Sequence, residues 1–164
     1  MAAALLQLKL TLAGVKPPIW RRLLVTNQVT LERLHESIQA VAGWKNTHLH
    51  EFVIEEKRYG QPAPREVVPV QNEALFRLHS VLPAKGTSFT YVYDFGDHWE
   101  IEVKVEQVHP PDPRAPFAFV IDGARAFPPE DAGGVAGYSE LLHTLSDSER
   151  FDLEAANGRL SLLA

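Results

Sequence analysis

The sequence predicts an α+β protein with a mixed, mostly antiparallel sheet, a β-grasp-like β-β-α-β start, a later hairpin and short helices packed on the sheet. Three observations carry that expectation. Leu6, Leu8, Leu10 and Leu12 alternate with Gln7, Lys9 and Thr11, the period of two that puts every second side chain on one strand face. Leu31, Leu34, Ile38 and Val41 recur at helical spacing behind Thr30, a residue suited to an N-cap, and ahead of Gly43, suited to a C-cap. Phe89, Tyr91 and Tyr93, then Trp99, Ile101, Val103 and Val105, alternate on either side of Phe95-Gly96-Asp97, which reads as an antiparallel hairpin.

The remaining elements follow in order. Gly14 and Lys16-Pro17-Pro18 end the first strand. In a second strand over 19–26, Ile19, Arg21, Leu23 and Val25 share one face and Trp20, Arg22 and Leu24 the other. A third strand is expected over 48–56. Residues 57–70, with Gly60, Pro62, Pro64 and Pro69, read as loop. Asn72 is suited to cap a short helix bearing Leu75, Leu78 and Leu82, which Pro83 to Gly86 would end. At the hairpin turn, Gly96 is expected to supply a positive φ. Four prolines within 109–116 make an irregular connection, and 117–121 a short strand. Residues 122–137, rich in Gly and Pro, are expected to be irregular, with helix over 138–145 and a last turn or two over 148–157. Leu8, Leu10, Leu34, Ile38, Phe89, Tyr91, Trp99 and Val103 are the expected core.

The chain has 164 residues, 45% of them hydrophobic and 23% charged, as expected of one folded domain over 1–164 and not of a disordered chain. It has no Cys, which excludes disulfides, Cys-ligated zinc, iron–sulfur clusters and thiol nucleophiles. No apolar run approaches the roughly 20 residues of a membrane helix, and the N-terminus lacks a basic region before its leucines. No membrane association and a cytoplasmic location are therefore expected. Net charge is −5, against a general nucleic-acid coat, but residues 1–50 hold six Lys/Arg against two Glu. Lys16, Arg21 and Arg22 in that part form a candidate basic patch, to be weighed against an ordinary solvated face.

Three polar constellations could carry chemistry. His48-Leu49-His50 on a strand would project both imidazoles from one face, a two-ligand clip for a divalent metal; the alternative is hydrogen-bonded core histidines. Asp94 and Asp97, next to His98, can accept from the turn's own amides or join a carboxylate–imidazole cluster. Glu130 and Asp131, set rigidly by Pro128-Pro129 and followed by Gly133-Gly134, could dock a loop on the sheet or line a cleft. The three are expected to gather at one end of the sheet, with His48, His50 and Arg125 offsetting the carboxylates. No catalytic triad, Walker loop, dinucleotide fingerprint or His-Glu-x-x-His is present.

Taken in order, Pro17-Pro18-Ile19-Trp20-Arg21-Arg22, Leu31 to His35, Gly43-Trp44 with His48-Leu49-His50-Glu51-Phe52, Tyr91-Val92-Tyr93-Asp94-Phe95-Gly96-Asp97, and Pro128-Pro129-Glu130-Asp131 with Gly133-Gly134 and Gly137-Tyr138 resemble the plasmid pRiA ORF-three-like family over about residues 5–155. The resemblance implies an α+β protein of uncharacterised biochemical function. Some members sit on plasmids or insertion elements under a resolvase-type passenger label, for which this sequence shows neither a serine nor a tyrosine recombinase constellation. Where members often carry Cys around Pro-Pro-Glu-Asp and His after the hairpin Trp, this chain has Phe127, Ala132 and Ile101, none of which offers a metal a ligand atom.

The expected function is a non-enzymatic binding or accessory module associated with plasmids or mobile elements. No cofactor is predicted, with a divalent metal as an option, and the partner is left open, a protein or a nucleic acid being the options. Two rivals stand beside it. One is a metal-dependent hydrolase built from His48 and His50 with Asp94, Asp97, His98, Glu130 or Asp131. The other is a nucleic-acid-binding accessory protein using Lys16, Arg21 and Arg22.

Overall fold

A computed structural model describes residues 2–63, 69–82, 84–145 and 147–163; Pro64 and Pro83, read as loop residues, lie outside these. In chain order the elements are β1 (Leu5–Leu12), β2 (Trp20–Thr26), α1 (Leu31–Ala42), β3 (His50–Ile54), β4 (Lys57–Gly60), β5 (Val70–Asn72), α2 (Leu78–Val81), β6 (Ser88–Tyr93), β7 (Trp99–His109), β8 (Ala118–Ala124), α3 (Gly134–Leu141) and α4 (Leu153–Ser161). The eight strands form one mixed sheet in the order β5-β4-β3-β6-β7-β1-β2-β8. Every neighbouring pair is antiparallel except β4 and β5, so the mostly antiparallel α+β class is observed. The β-β-α-β start is present in chain order, although β6 and β7 lie between β1 and β3 in the sheet.

The alternating leucines of β1 are buried on one face, and α1 lays Leu31, Leu34, Ile38 and Val41 on the same core. Thr30 caps α1 by accepting from Arg33 N, and Gly43 ends it with φ 75°. These two caps are set by local chemistry, which is why the helix falls on its expected bounds. The hairpin also forms as expected: β6 pairs β7 from Ser88↔Lys104 to Tyr93↔Trp99. All eight expected core residues are buried.

Four expectations need correction. The region over 57–70 contains β4 and begins β5. β4 folds back on β3 through Glu55 and Glu56, both at positive φ, a hairpin turn these residue types do not advertise, and β5 then pairs β4 in parallel. Residues 122–137 are not wholly irregular, because β8 runs to Ala124 and α3 begins at Gly134. The glycines there are fitted to close approaches: a Cβ on Gly134 would collide with the carbonyl oxygen of Asp97, and one on Gly137 with that of Ala132. The last helix spans Leu153–Ser161, later than expected, where Asp152 accepts from Ala155 N. β3 begins at His50, so His48 precedes the strand.

α4 packs on α1 and on β8, a strand at the sheet's edge. There the Asn157 amide reads β8 as a strand would: Oδ1 accepts from Val120 N at 2.7 Å and Nδ2 donates to Val120 O at 2.9 Å. Edge groups left open invite pairing with another chain. Asn157→Ala should therefore lower stability by about 1–3 kcal/mol in urea denaturation, because it strands a donor and an acceptor at a buried residue. It should also give concentration-dependent association in sedimentation; an unchanged midpoint would show that the amide pair adds nothing.

Candidate functional site

Three loops meet at the end of the sheet where β3 begins and the β6–β7 hairpin turns. The loop after α1 carries residues 44–48, the hairpin turn carries 94–98, and the Pro-Pro-Glu-Asp loop carries 127–133. Trp44 ties them together. Its ring stacks on Tyr93 at 5.0 Å and meets Phe127 edge-on, and its Nε1 donates to Pro128 O at 2.9 Å. Glu130 Oε1 then accepts from Lys45 N at 3.1 Å and from the Tyr93 hydroxyl. Thr47 N donates to the same hydroxyl at 3.0 Å. Burial, then the Glu130 carboxylate accepting the proton's hydrogen bond, holds the Tyr93 phenol above its ordinary range. Gly133 N donates to Asp97 Oδ2 at 3.1 Å, which closes the ring of loops.

Within that ring three side chains converge. His48 Nε2 lies 2.9 Å from Asp131 Oδ1 and 3.5 Å from Asp94 Oδ2. One ligand atom from each of the three can be chosen so that all lie within 4.8 Å of one another. Asp94 is held by its other oxygen: Oδ1 accepts from Gly96 N at 3.1 Å and Asp97 N at 3.2 Å, which leaves Oδ2 facing His48. The turn is built differently from expectation. Gly96 does not take the left-handed conformation; Asp94 (φ 61°) and His98 (φ 57°) do, and Asp131 (φ 59°) joins them across the cluster. Asp tolerates this region because its side chain bonds local amides. Backbone of this kind tends to gather at binding sites.

The other expected site residues divide. Asp97 and Glu130 sit in the same ring of loops, but each is used to hold the loops together. His98 bonds Glu100 at 2.8 Å on the surface and takes no part. Arg125 pairs with Glu149 at 3.0 Å and donates to Pro17 O, so it does not offset the acidic cluster. His48 and His50 do not form a two-imidazole clip. The i, i+2 rule holds only inside a strand, and β3 starts at His50. His50 instead turns into the protein, where its Nε2 meets both oxygens of the buried Glu73 at 2.6 and 2.7 Å. The expected basic patch does not assemble either. Arg21 points into the core, Arg22 is bound to Glu106 at 2.7 Å and reaches Asp122, and only Lys16 is exposed. The Arg22 guanidinium is pushed up by its Glu106 hydrogen bonds, and Glu106 is pushed down chiefly by the same bonds.

Sequence reading missed the network behind His50. The His35 ring stacks on His50 with centroids 3.3 Å apart and planes 4° from parallel. His35 Nε2 donates to Asn46 Oδ1 at 2.9 Å, and its Nδ1 accepts from the Tyr91 hydroxyl at 2.7 Å. Gln39 donates to the same Tyr91 hydroxyl at 2.9 Å, and its own oxygen accepts from Asn46 N. Burial first, and then His50, pushes the His35 imidazole down to about 3, so it is neutral. The signal was present in α1, where His35 and Gln39 fall at i+4 from Leu31 and His35 on the buried side of the helix.

A cleft of about 550 Å³ opens beside the cluster, with His48, Asn46 and Thr47 on one side and Leu49 and Phe95 among its apolar residues. Leu49 is 66% and Phe95 45% exposed.

The sequence profile of the family described as plasmid pRiA4b ORF-3-like protein matches residues 4–160. The uncharacterized protein y4hQ of Sinorhizobium fredii is 37% identical over 149 residues, which is 90% of this chain and 76% of that protein. The crystal structure of a protein of unknown function, MM3350 from Methanosarcina mazei Go1, superposes with a TM-score of 0.84 at 32% identity, over 94% of this chain and 97% of that one. Among the described residues no helix is long and apolar enough to cross a membrane.

Proposed function

The chain belongs to the plasmid pRiA4b ORF-3-like family, and from that premise and the geometry above we propose that it is a cation-assembled binding module. The observation that carries this reading is the convergence of His48, Asp94 and Asp131 from three separate loops. One imidazole and two carboxylates suit Zn²⁺, Mn²⁺, Fe²⁺ or Ni²⁺. A cation would take the place of the proton between His48 Nε2 and Asp131, and Asp94 Oδ2 would complete a three-ligand set. Three protein ligands leave coordination positions for a group from the adjoining cleft, whose apolar Leu49 and Phe95 suit the body of a bound partner. The module is read as a non-enzymatic accessory associated with plasmids or mobile elements.

The open coordination positions also favour the second reading, a metal-dependent hydrolase, since catalytic sites of this kind keep a position for water. A nucleic-acid role through Lys16, Arg21 and Arg22 has no surface to act from, given the inward Arg21 and the paired Arg22.

Calorimetric titration of chelator-stripped, tag-free protein with Zn²⁺ and Mn²⁺ should show one equivalent bound. His48→Ala should abolish that binding, while His98→Ala should leave it intact. A His48→Ala protein that binds the metal as tightly as the parent would overturn the site. Metal-dependent hydrolysis of phosphate or carboxylate esters that disappears in His48→Ala would replace the binding reading by the hydrolase.

A further inference from the structure

We propose that the protein has a second binding site, bordering the Pro-Pro-Glu-Asp loop but using none of His48, Asp94 and Asp131, that takes a small organic oxyanion: a phosphate or carboxylate head on an apolar body. The head would sit beside Arg21, the body beside Tyr138.

Arg21 is 4% exposed, yet no carboxylate among the described residues pairs with it. Its Nη1 donates to the carbonyl oxygens of Trp20 at 2.8 Å and Ala124 at 3.2 Å, and its Nε is buried with no partner. The guanidinium lies between the rings of Phe127 (4.9 Å) and Phe151 (4.3 Å). The backbone is shaped to admit it, because a Cβ on Gly123 would lie 2.9 Å from Arg21 Cδ and 3.1 Å from Phe151 Cζ. A buried cation without a counter-ion is costly. Burial and the nearby Arg159 lower the Arg21 guanidinium to about 10, the direction expected when no anion is present.

A cavity of about 180 Å³ opens onto this group, lined also by Arg150, Arg159 and Asp152. Arg159 donates to Ala40 O and Val41 O, and Arg150 reaches Asp152 at 3.5 Å. Three guanidinium-bearing residues thus line the pair of cavities against two carboxylates, Asp152 here and Asp147 in the adjoining space, an excess positive charge that an oxyanion would offset. Guanidinium donors match phosphate and carboxylate geometry.

A second cavity of about 320 Å³ adjoins the first and shares Ala42, Gly43, Ala126 and Phe127 with it. Pro128 and Leu145 add apolar wall, and Tyr138, whose hydroxyl is buried and unpartnered, lines it as well. Among the described residues three buried side-chain polar atoms lack a partner, and two of them, Arg21 Nε and Tyr138 Oη, belong to this pair of cavities. Native proteins rarely leave such groups unpaired, and both belong to residues that line this pair of cavities. A charged end and an apolar end in continuous space match the usual ligand pocket.

The probes are phenyl phosphate, inorganic phosphate and benzyl alcohol, titrated calorimetrically at low ionic strength. Phenyl phosphate should bind one to one, about tenfold or more tighter than either inorganic phosphate or the neutral alcohol. Arg150→Glu, a largely exposed residue, should weaken phenyl phosphate about tenfold without changing the circular dichroism melt. Arg21→Met replaces the unpaired cation by an apolar chain of similar length; it should stay folded and lose the binding. His48→Ala should bind phenyl phosphate as the parent does, which separates this site from the cation cluster. Phenyl phosphate that does not bind, binds no better than inorganic phosphate, or binds equally to Arg150→Glu and Arg21→Met overturns the proposal.

Discussion

His50→Ala should destabilise the protein by about 3–4 kcal/mol at pH 7, whereas Glu73→Ala should cost clearly less. Glu73 is 1% exposed and both its carboxylate oxygens rest on His50 Nε2. Removing the imidazole leaves a carboxylate in the core without the partner that both its oxygens contact. It can stay ionised and bear the desolvation, or take a proton. Holding a carboxyl group neutral at pH 7 costs about 3–4 kcal/mol, from a reference value near 4.3 and 1.36 kcal/mol per unit. The reverse truncation leaves an imidazole, whose neutral form costs far less to bury than a carboxylate. Replacing both residues by Leu should recover much of the loss, because apolar packing often substitutes for a buried ion pair. Urea denaturation of the three variants measures the asymmetry. Equal losses in the two single variants would show that shared packing, including the His35 stack on His50, outweighs charge.

Which parts of this architecture were legible in the sequence follows from the range of the forces involved. β1, α1 and the β6–β7 hairpin are written in spacing and caps that act within a few residues, and they fall where expected. β4 is a local hairpin partner of β3, but its turn uses Glu55 and Glu56 at positive φ in place of the usual Asn or Gly, while β5 and the start of α3 depend on more distant contacts. The site shows the same division. Asp94 as an acceptor for its own turn is local chemistry, and it is observed. The meeting of His48 with Asp131, 83 residues away, follows from Trp44 and Glu130 docking the Pro-Pro-Glu-Asp loop. Arg21 is a different case. Period two already placed it with Ile19, Leu23 and Val25, so strand geometry opposed its grouping with Arg22 and Lys16. Glu73 gave no signal at all: it occupies a single 3₁₀ turn after β5, and only the folded sheet brings it to His50.

Stability should fall by about 2–3 kcal/mol as pH drops from 6.5 to 4.5, and His35→Gln should remove most of that slope. In the folded protein His35 is neutral, held down to about 3 by burial and by His50, with the Asn46 hydrogen bond as a partial offset. In the unfolded chain an imidazole takes a proton below about 6.5. Between these values the unfolded state binds one more proton than the folded state, so stability rises with pH. The contribution is therefore whole above about 6.5 and is lost as pH falls toward 3, at up to about 1.4 kcal/mol per pH unit. The window matters, because Glu106, lowered by its Arg22 hydrogen bonds, loses its own contribution in the same direction only below the ordinary carboxylate range near 4.5. Restricting the comparison to pH 4.5–6.5 keeps the Glu106 loss out of the slope, and the His35→Gln variant then reads the share that belongs to His35. Gln keeps a hydrogen-bonding amide near Tyr91 and Asn46 but cannot titrate, so His35→Gln should be less stable than the parent at pH 7 and flatter below it. A variant that loses as much stability as the parent across this window would assign the slope to another group.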